Sequence, residues 1–491
     1  MISAVFEPKR RFRFRTLVMR RSRDARLALA AFACLLSTAT VAASGQGRKS
    51  DLPEPGHVGD KTCSSDPTQS YALYLPSTYT SAKRWPIVYF FDPGGRGRRP
   101  LDLYKELAET YGLIFAGSNN SRNFSSEQSK SVNAIWQDTH ARLALDERRM
   151  YTSGFSGGAR VAGAMAVSCA NCQIAGVIAH GAGYPDSRGS SKDKLLYFYA
   201  VGNQDFNWPE VMRIRRQREE DGLAYRVRVF AGSHQWAPLD VMEDALQWLA
   251  LRAMQAGDSP RDAAFIDRFF AKMQAEAVDA ERRKDAVAEL NAYSSLVSDF
   301  AGLKDVSEAT AKLDALKQSA SLKAALKAEQ EQIAEQFSLE RGISPKLSAY
   351  VDGNVPDMNA LRIEILQAMG GLKDQAAHAK NEEKRLIYMR ALYDMQVVGI
   401  ENGQQELEGK HFDQAEACFD LMKQLSDDPW PVLMLAETHA ATGKKKQAIN
   451  DLHEAIRRGL KDAEPIESNQ RFQALQSEPE FQKLLAELKS H

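Results

Sequence analysis

Residues Gly154-Phe155-Ser156-Gly157-Gly158 carry the spacing G-x-S-x-G, directly after a strand-like Met150-Tyr151-Thr152 and directly before a helical Ala159 to Val167. That setting suits a nucleophilic serine. A sharp strand-to-helix turn holds the hydroxyl clear of the sheet, flanking side chains would collide, and the helix N-terminus favours developing negative charge. A serine hydroxyl is a poor nucleophile until a base takes its proton. Four histidines lie in this half of the chain. His57 precedes the core, His140 lies inside a helix and His180 ends a strand, whereas His234 sits in Ala231-Gly-Ser-His-Gln-Trp236 between the last strand and an amphipathic helix. His234 is the expected base. The carboxylate that orients it should fall between Ser and His in chain order. Asp205, immediately after the strand-like Leu195 to Val201, fits better than its competitors Asp186 and Glu210. Two N–H donors should receive the oxyanion. Gly157 supplies one. The loop Asp92-Pro93-Gly94-Gly95-Arg96 follows an early strand, and Pro93 has no N–H, so Gly94 is the expected second donor with Gly95 in reserve. The nearby Arg96, Arg98 and Arg99 suit either an acidic substrate group or plain solvation.

Such a constellation needs a scaffold that delivers several strand ends to one rim. Short β-branched or aromatic runs at Tyr71–Leu75, Pro86–Phe91, Leu113–Ala116, Met150–Thr152, Ile174–Ala179, Leu195–Val201 and Tyr225–Phe230 alternate with amphipathic stretches. The helical stretches are Leu101–Tyr111, Val132–Ala144, Gly158–Val167, Pro209–Glu220 and Leu239–Met254. This is the pattern of a mostly parallel sheet flanked by crossover helices, an α/β fold.

Four segments, Tyr71-Ala-Leu-Tyr-Leu-Pro76, Gly154-Phe-Ser-Gly-Gly158, Gly202-Asn-Gln-Asp205 and Gly232-Ser-His-Gln-Trp236, together make residues 56–255 resemble the α/β-hydrolase superfamily. Within it they are similar to secreted esterases of the polyhydroxybutyrate depolymerase and feruloyl esterase type. The resemblance implies a serine hydrolase acting on an ester in preference to an amide, with no metal and no organic cofactor. One departure stands out: where those enzymes carry His-Gly after the early strand, this chain has Asp92-Pro93. The departure keeps open a catalytically silent scaffold that works through its C-terminal half. An exopeptidase-like hydrolase is a further alternative.

The chain has 491 residues, 44% hydrophobic and 26% charged, with 64 basic and 64 acidic side chains. That length suggests more than one domain. Nine Lys or Arg and two acids fall in the first 26 residues; an uncharged Leu27–Leu36 and small residues ending at Ala43 follow. This is the layout of a signal peptide over residues 1–43, with Met19 as an alternative start. Its removal leaves an acidic chain that repels nucleic acid, has no stable membrane span, and is exported to a periplasmic or extracellular space. An oxidising compartment permits disulfides. Cys63, Cys169 and Cys172 are the candidates, and the Cys169-x-x-Cys172 pair lacks the second ligand pair of a zinc site.

Beyond Gly257 strand-like runs stop and Ala, Leu, Lys, Glu and Gln dominate, which predicts a helical region over residues 256–383, with Gly342 to Asp357 as a loop or joint. Over residues 384–491 Ala415, Phe419 and Met422 are echoed 33 residues later by Ala448, Leu452 and Ala455. With Leu435, Ala436, His439 and Gly443 between them, this resembles the tetratricopeptide repeat. The closing Phe472, Leu475, Pro479, Phe481 and Leu484 suit an end cap. The resemblance implies a surface for a protein partner.

Overall fold

The computed structural model describes residues 52–169, 172–183, 195–353, 355–467 and 469–490. The proposed signal segment and Asp186 lie outside the described residues. Eight strands, β1 (Val58–Thr62), β2 (Ser70–Tyr74), β3 (Trp85–Phe91), β4 (Ile114–Ser118), β5 (Leu145–Phe155), β6 (Gly176–His180), β7 (Leu196–Gly202) and β8 (Tyr225–Phe230), form one sheet. Their order is β1-β2-β4-β3-β5-β6-β7-β8. The β1·β2 and β2·β4 pairs are antiparallel, and every pair from β4 to β8 is parallel. With helices on both faces, this is the α/β-hydrolase fold. The strand β1 escapes the hydropathy pattern because it is a short, half-exposed edge with no apolar alternation.

Period-two alternation decides which helices cover which face. Val88 and Phe90 of β3 pack with α1 (Arg98–Tyr111) and α5 (Leu239–Ala256). Ile87, Tyr89 and Phe91 pack with α2 (Gln128–Arg142), α3 (Gly157–Ser168) and α4 (Trp208–Glu220). The first of these cores does not end where the strands end. Ile266 and Phe269 of α6 (Ala263–Arg283), Leu296 and Phe300 of α7 (Ala286–Phe300), Leu313 of α8 (Ser307–Gln318) and Leu322 at the start of α9 (Ala320–Asp352) belong to it. The chain from Leu52 onward is accordingly one compact unit.

The helix α9 also corrects the joint expected at Gly342 to Asp357, for it runs unbroken through Pro345 to Asp352. Ile343, Leu347 and Tyr350 are buried in a second helical core with α10 (Met358–Ala377), α11 (Glu382–Glu408) and α12 (Phe412–Leu425). That burial outweighs the local preference of Gly342 and Pro345 to end a helix. The break falls at Gly353, in the left-handed conformation. The remaining helices, α13 (Trp430–Ala441), α14 (Lys445–Arg457), α15 (Glu464–Glu467) and α16 (Pro479–Ser490), share a third core with α12. Ala415 and Ala448, the small residues 33 positions apart, are both fully buried in it.

Cys169 and Cys172 form a disulfide. Cys63, also expected as a disulfide candidate, is instead a buried free thiol, as is Cys418. Burial and the neighbouring Asp138 push the Cys63 thiol up to about 11.

Candidate active site

The strand register explains why distant residues meet. Phe91 pairs with Gly154, Phe155 with His180, His180 with Ala200 and Gly202 with Phe230. The loops after β3, β5, β6, β7 and β8 therefore leave one rim side by side, at the carboxyl ends of the strands.

Ser156 stands between β5 and α3 with φ 54° and ψ −122°, a conformation that costs a non-glycine residue on the order of 1–3 kcal/mol. The turn is held from both sides: the Ser156 N–H donates to the His180 carbonyl at 2.8 Å, and the Ala159 N–H donates to the Ser156 carbonyl at 3.0 Å. Crowding demands glycine at 158, where a Cβ would lie 2.0 Å from the Phe91 carbonyl oxygen.

Asp205 is fully buried. Both its oxygens lie 3.0 Å from His234 Nδ1, and Oδ1 also accepts the Asn207 N–H at 2.8 Å. The imidazole is clamped between the rings of Phe155 and Phe206, with centroids at 4.5 and 4.4 Å. Gly181, with φ 62°, brings its backbone against the pair; a Cβ there would lie 2.9 Å from Asp205 Oδ2 and 3.1 Å from His234 Nδ1. The competitors are engaged elsewhere. Glu210 pairs with Arg160 at 2.8 Å. His140 Nδ1 contacts the Trp136 carbonyl. His180 lies in the core beside Ser153 Oγ at 3.1 Å, where burial drives its pKa down to about 3.

The loop after β3, expected to supply an oxyanion donor, departs from expectation. The Gly94 N–H, expected as a donor toward substrate, donates to Asp92 Oδ1 at 2.9 Å, and the reserve Gly95 N–H donates to the Asp92 carbonyl at 2.9 Å. The physical reason is the carboxylate at 92, which is fully buried and gathers nearby donors to balance its desolvation. Its partners are Arg96 Nε at 2.9 Å and Trp236 Nε1 at 3.1 Å besides Gly94. Asp92 thus ties the loop after β3 to the loop that carries His234. Arg98 forms exposed pairs with Asp60 and Asp102. Gly157, by contrast, opens α3, where a first-turn N–H has no intrahelical acceptor.

Sequence reasoning missed the part of the site that comes from the helical half. Arg390 of α11 is fully buried, donates through Nη1 to the Asn203 carbonyl at 3.2 Å, and lies 4.2 Å from the Trp208 ring centroid. Gln336 of α9 donates to the Phe206 carbonyl at 3.2 Å, and Tyr393 meets the Phe206 ring edge-on at 5.5 Å. At its far end α11 places Glu408 3.7 Å from Arg122, on the loop after β4. From Arg390 to Glu408 a helix rises ~27 Å, so α11 reaches from the loop after β7 across to the loop after β4. Glu401 lies between those anchors; burial raises its carboxyl, against the lowering influence of Arg160 and His234. No periodicity could have revealed this, because Arg390 and Asn203 are 187 positions apart. Among the described residues, no cluster of three or more His, Cys, Asp or Glu could hold a metal ion.

The sequence matches no protein-family model. No curated protein matches it either. Among solved structures, the chain is similar to a fluorophosphonate-binding serine hydrolase of Staphylococcus aureus at 13% identity, over 40% of this chain and 98% of that one, with a TM-score of 0.34. It is similar to the S-formylglutathione hydrolase of the same organism at 14% identity, over 40% and 98%, with a TM-score of 0.32. The feruloyl esterase module of Clostridium thermocellum matches at 19% identity, over 40% and 88%, with a TM-score of 0.31.

Proposed function

We propose that this protein is a serine hydrolase that cleaves an ester by two-step acyl transfer. The observation that carries the reading is Ser156 in a strained strand-to-helix turn on the same rim as a histidine whose Nδ1 lies 3.0 Å from a buried carboxylate. In this mechanism the His234 Nδ1–H donates a hydrogen bond to Asp205, which keeps the proton on Nδ1 and leaves Nε2 free to act as the base. Nε2 takes the Ser156 proton, Oγ bonds to the carbonyl carbon, and the π electrons move to the oxygen facing the Gly157 N–H. Collapse expels the alcohol, which leaves with the proton from His234. Water, activated by the same imidazole, then releases the acyl group.

The helical half belongs to the same machine in this reading: α9 and α11 hold the Asp205 loop and narrow the approach to Ser156. Docking of a protein partner on the repeat-like helices α12 to α14 is a compatible second role. Export through the N-terminal segment completes the proposal, and a Cys169–Cys172 disulfide accords with an oxidising compartment. Among the described residues no helix is long and apolar enough to cross a membrane.

One observation favours a catalytically silent scaffold instead, namely that the Gly94 and Gly95 N–H groups are both engaged by Asp92. Labelling of the purified protein by a fluorophosphonate, beside Ser156→Ala and His234→Ala, separates the two. Hydrolysis predicts a phosphonate adduct on Ser156 in wild type and none in either variant; a folded wild type that resists the probe favours the scaffold.

A further inference from the structure

With Pro93 lacking an N–H and the next two held by Asp92, the rim is left with Gly157 as its assigned oxyanion donor. Transition-state stabilisation of acyl transfer relies on at least two preorganised donors, so a second is needed from elsewhere.

Asn123 is placed to be that donor. A Cβ built on Gly157 would lie 2.0 Å from Asn123 Oδ1 and 2.8 Å from Nδ2, so this carboxamide rests directly on the residue that follows the nucleophile. Glycine at 157 is what allows the approach. Rotation about the terminal torsion exchanges the two amide positions, so either atom can face the site. The side chain has no hydrogen-bond partner among the described residues, whereas its backbone is fixed: the Asn123 N–H donates to the Pro93 carbonyl at 2.8 Å. That bond joins the loop after β4 to the loop after β3. The segment is strained, and its own hydrogen bonds hold it in that conformation. Phe124 adopts φ 62°, strained for a side chain of its size. Gln128 Nε2 donates to the Arg122 carbonyl at 3.0 Å, and the Ser125 N–H donates to the same oxygen at 3.2 Å. The carboxamide therefore lies beside Gly157 on a backbone tied to the neighbouring loop, with its Nδ2–H free to turn toward the site.

We infer that Asn123 is a catalytic residue of this site, its Nδ2–H donating to the oxyanion beside the Gly157 N–H in place of the backbone donor that Asp92 has taken. The inference rests on the serine-hydrolase reading given above. No bond at Asn123 is made or broken: the carbonyl π pair moves to oxygen as Ser156 Oγ bonds to carbon, and the donor stabilises that charge until the alcohol departs.

The test is steady-state hydrolysis of p-nitrophenyl butyrate by the full chain as wild type, Asn123→Ala, Asn123→Asp and Ser156→Ala, with thermal unfolding of each. Removing one oxyanion donor lowers kcat roughly 10²–10³-fold, so Asn123→Ala should lose that much with KM within about threefold and an unchanged Tm. Asn123→Asp preserves shape but sets a negative charge against the oxyanion, and should lose at least as much; it decides the matter if the alanine variant does not fold. Asn123 variants within threefold of wild-type kcat, beside an inactive Ser156→Ala, would overturn the inference and leave the nucleophile assignment standing. A wild type that neither hydrolyses the ester nor takes up a fluorophosphonate overturns both.

Discussion

Replacement of Arg390 by alanine tests whether the helical half is part of the proposed catalytic unit. The guanidinium is fully buried, yet its direct partners are neutral: the Asn203 carbonyl at 3.2 Å, Gln336 Oε1 at 3.0 Å, Gln332 Oε1 at 3.4 Å and the Trp208 ring at 4.2 Å. Burial lowers its pKa to about 10, partly offset by the carboxylate of Asp205, so it stays charged near neutrality. A desolvated cation over an indole contributes ~2 kcal/mol, and the two shorter hydrogen bonds from a charged donor ~1.5 kcal/mol each or more. Relief from burying the charge returns several kcal/mol of the same order, while the orphaned acceptors add ~1–3 kcal/mol of cost each where water cannot reach them. The gained and lost charge terms nearly cancel, so the orphaned acceptors set a net loss of at least ~2 kcal/mol. Arg390→Lys should recover little of it, since an ammonium cannot reach three acceptors and stack at once. Because Asn203 is two residues from Asp205, the loosened loop should also lower kcat for p-nitrophenyl butyrate about tenfold, since small misplacements of a catalytic group are expensive. The assay pairs urea unfolding followed by circular dichroism with steady-state kinetics. A variant with the wild-type urea midpoint and kcat would refute the claim that α11 positions the acid loop, and would restore an independent binding module as the role of the C-terminal half.

Other consequences are as direct. Because burial drives His180 down to about 3, the unfolded chain binds a proton there that the folded one refuses between pH ~6.5 and ~3. Its contribution is thus fully present above pH ~6.5 and is lost at ~1.4 kcal/mol per unit as pH falls; His180→Gln should flatten the urea-midpoint profile between pH 6 and pH 4 by one proton, and an unchanged slope would contradict it. Asp92→Ala should destabilise by ~3 kcal/mol, because it leaves Arg96 and the Trp236 N–H without their acceptor, and a smaller thermal shift than Trp236→Phe gives would argue against Asp92 as the tie between the two loops. Gly158→Ala drives its new Cβ into the Phe91 carbonyl oxygen, so a soluble, fully active variant is not expected; normal fluorophosphonate labelling would show that the turn can relax.

The sequence alone determined the elements whose signal is local. Period-two runs announced the strands, Gly154 to Gly158 marked a strand-to-helix turn at Ser156, and the shared rim of Ser156, Asp205 and His234 followed from which loop succeeds which strand. Local rules also misled. Gly342 and Pro345 pointed to a joint, yet burial of Ile343, Leu347 and Tyr350 carries α9 through them. Cys63 looked available for a disulfide but is a buried free thiol, while the adjacent pair Cys169 and Cys172 closes on itself. Gly94 looked like a free donor because composition describes a loop's flexibility and not the hydrogen bonds its neighbours demand; the buried carboxylate of Asp92 captures that N–H. Only the tertiary structure decided that strands and helices share one core, that Asn123 rests on Gly157, and that Arg390 grips the loop after β7 from 187 positions away. Those contacts are set by register and by packing of side chains far apart in the chain, which leave no periodic mark on the sequence because each partner alone looks like an ordinary polar residue on a loop or a helix.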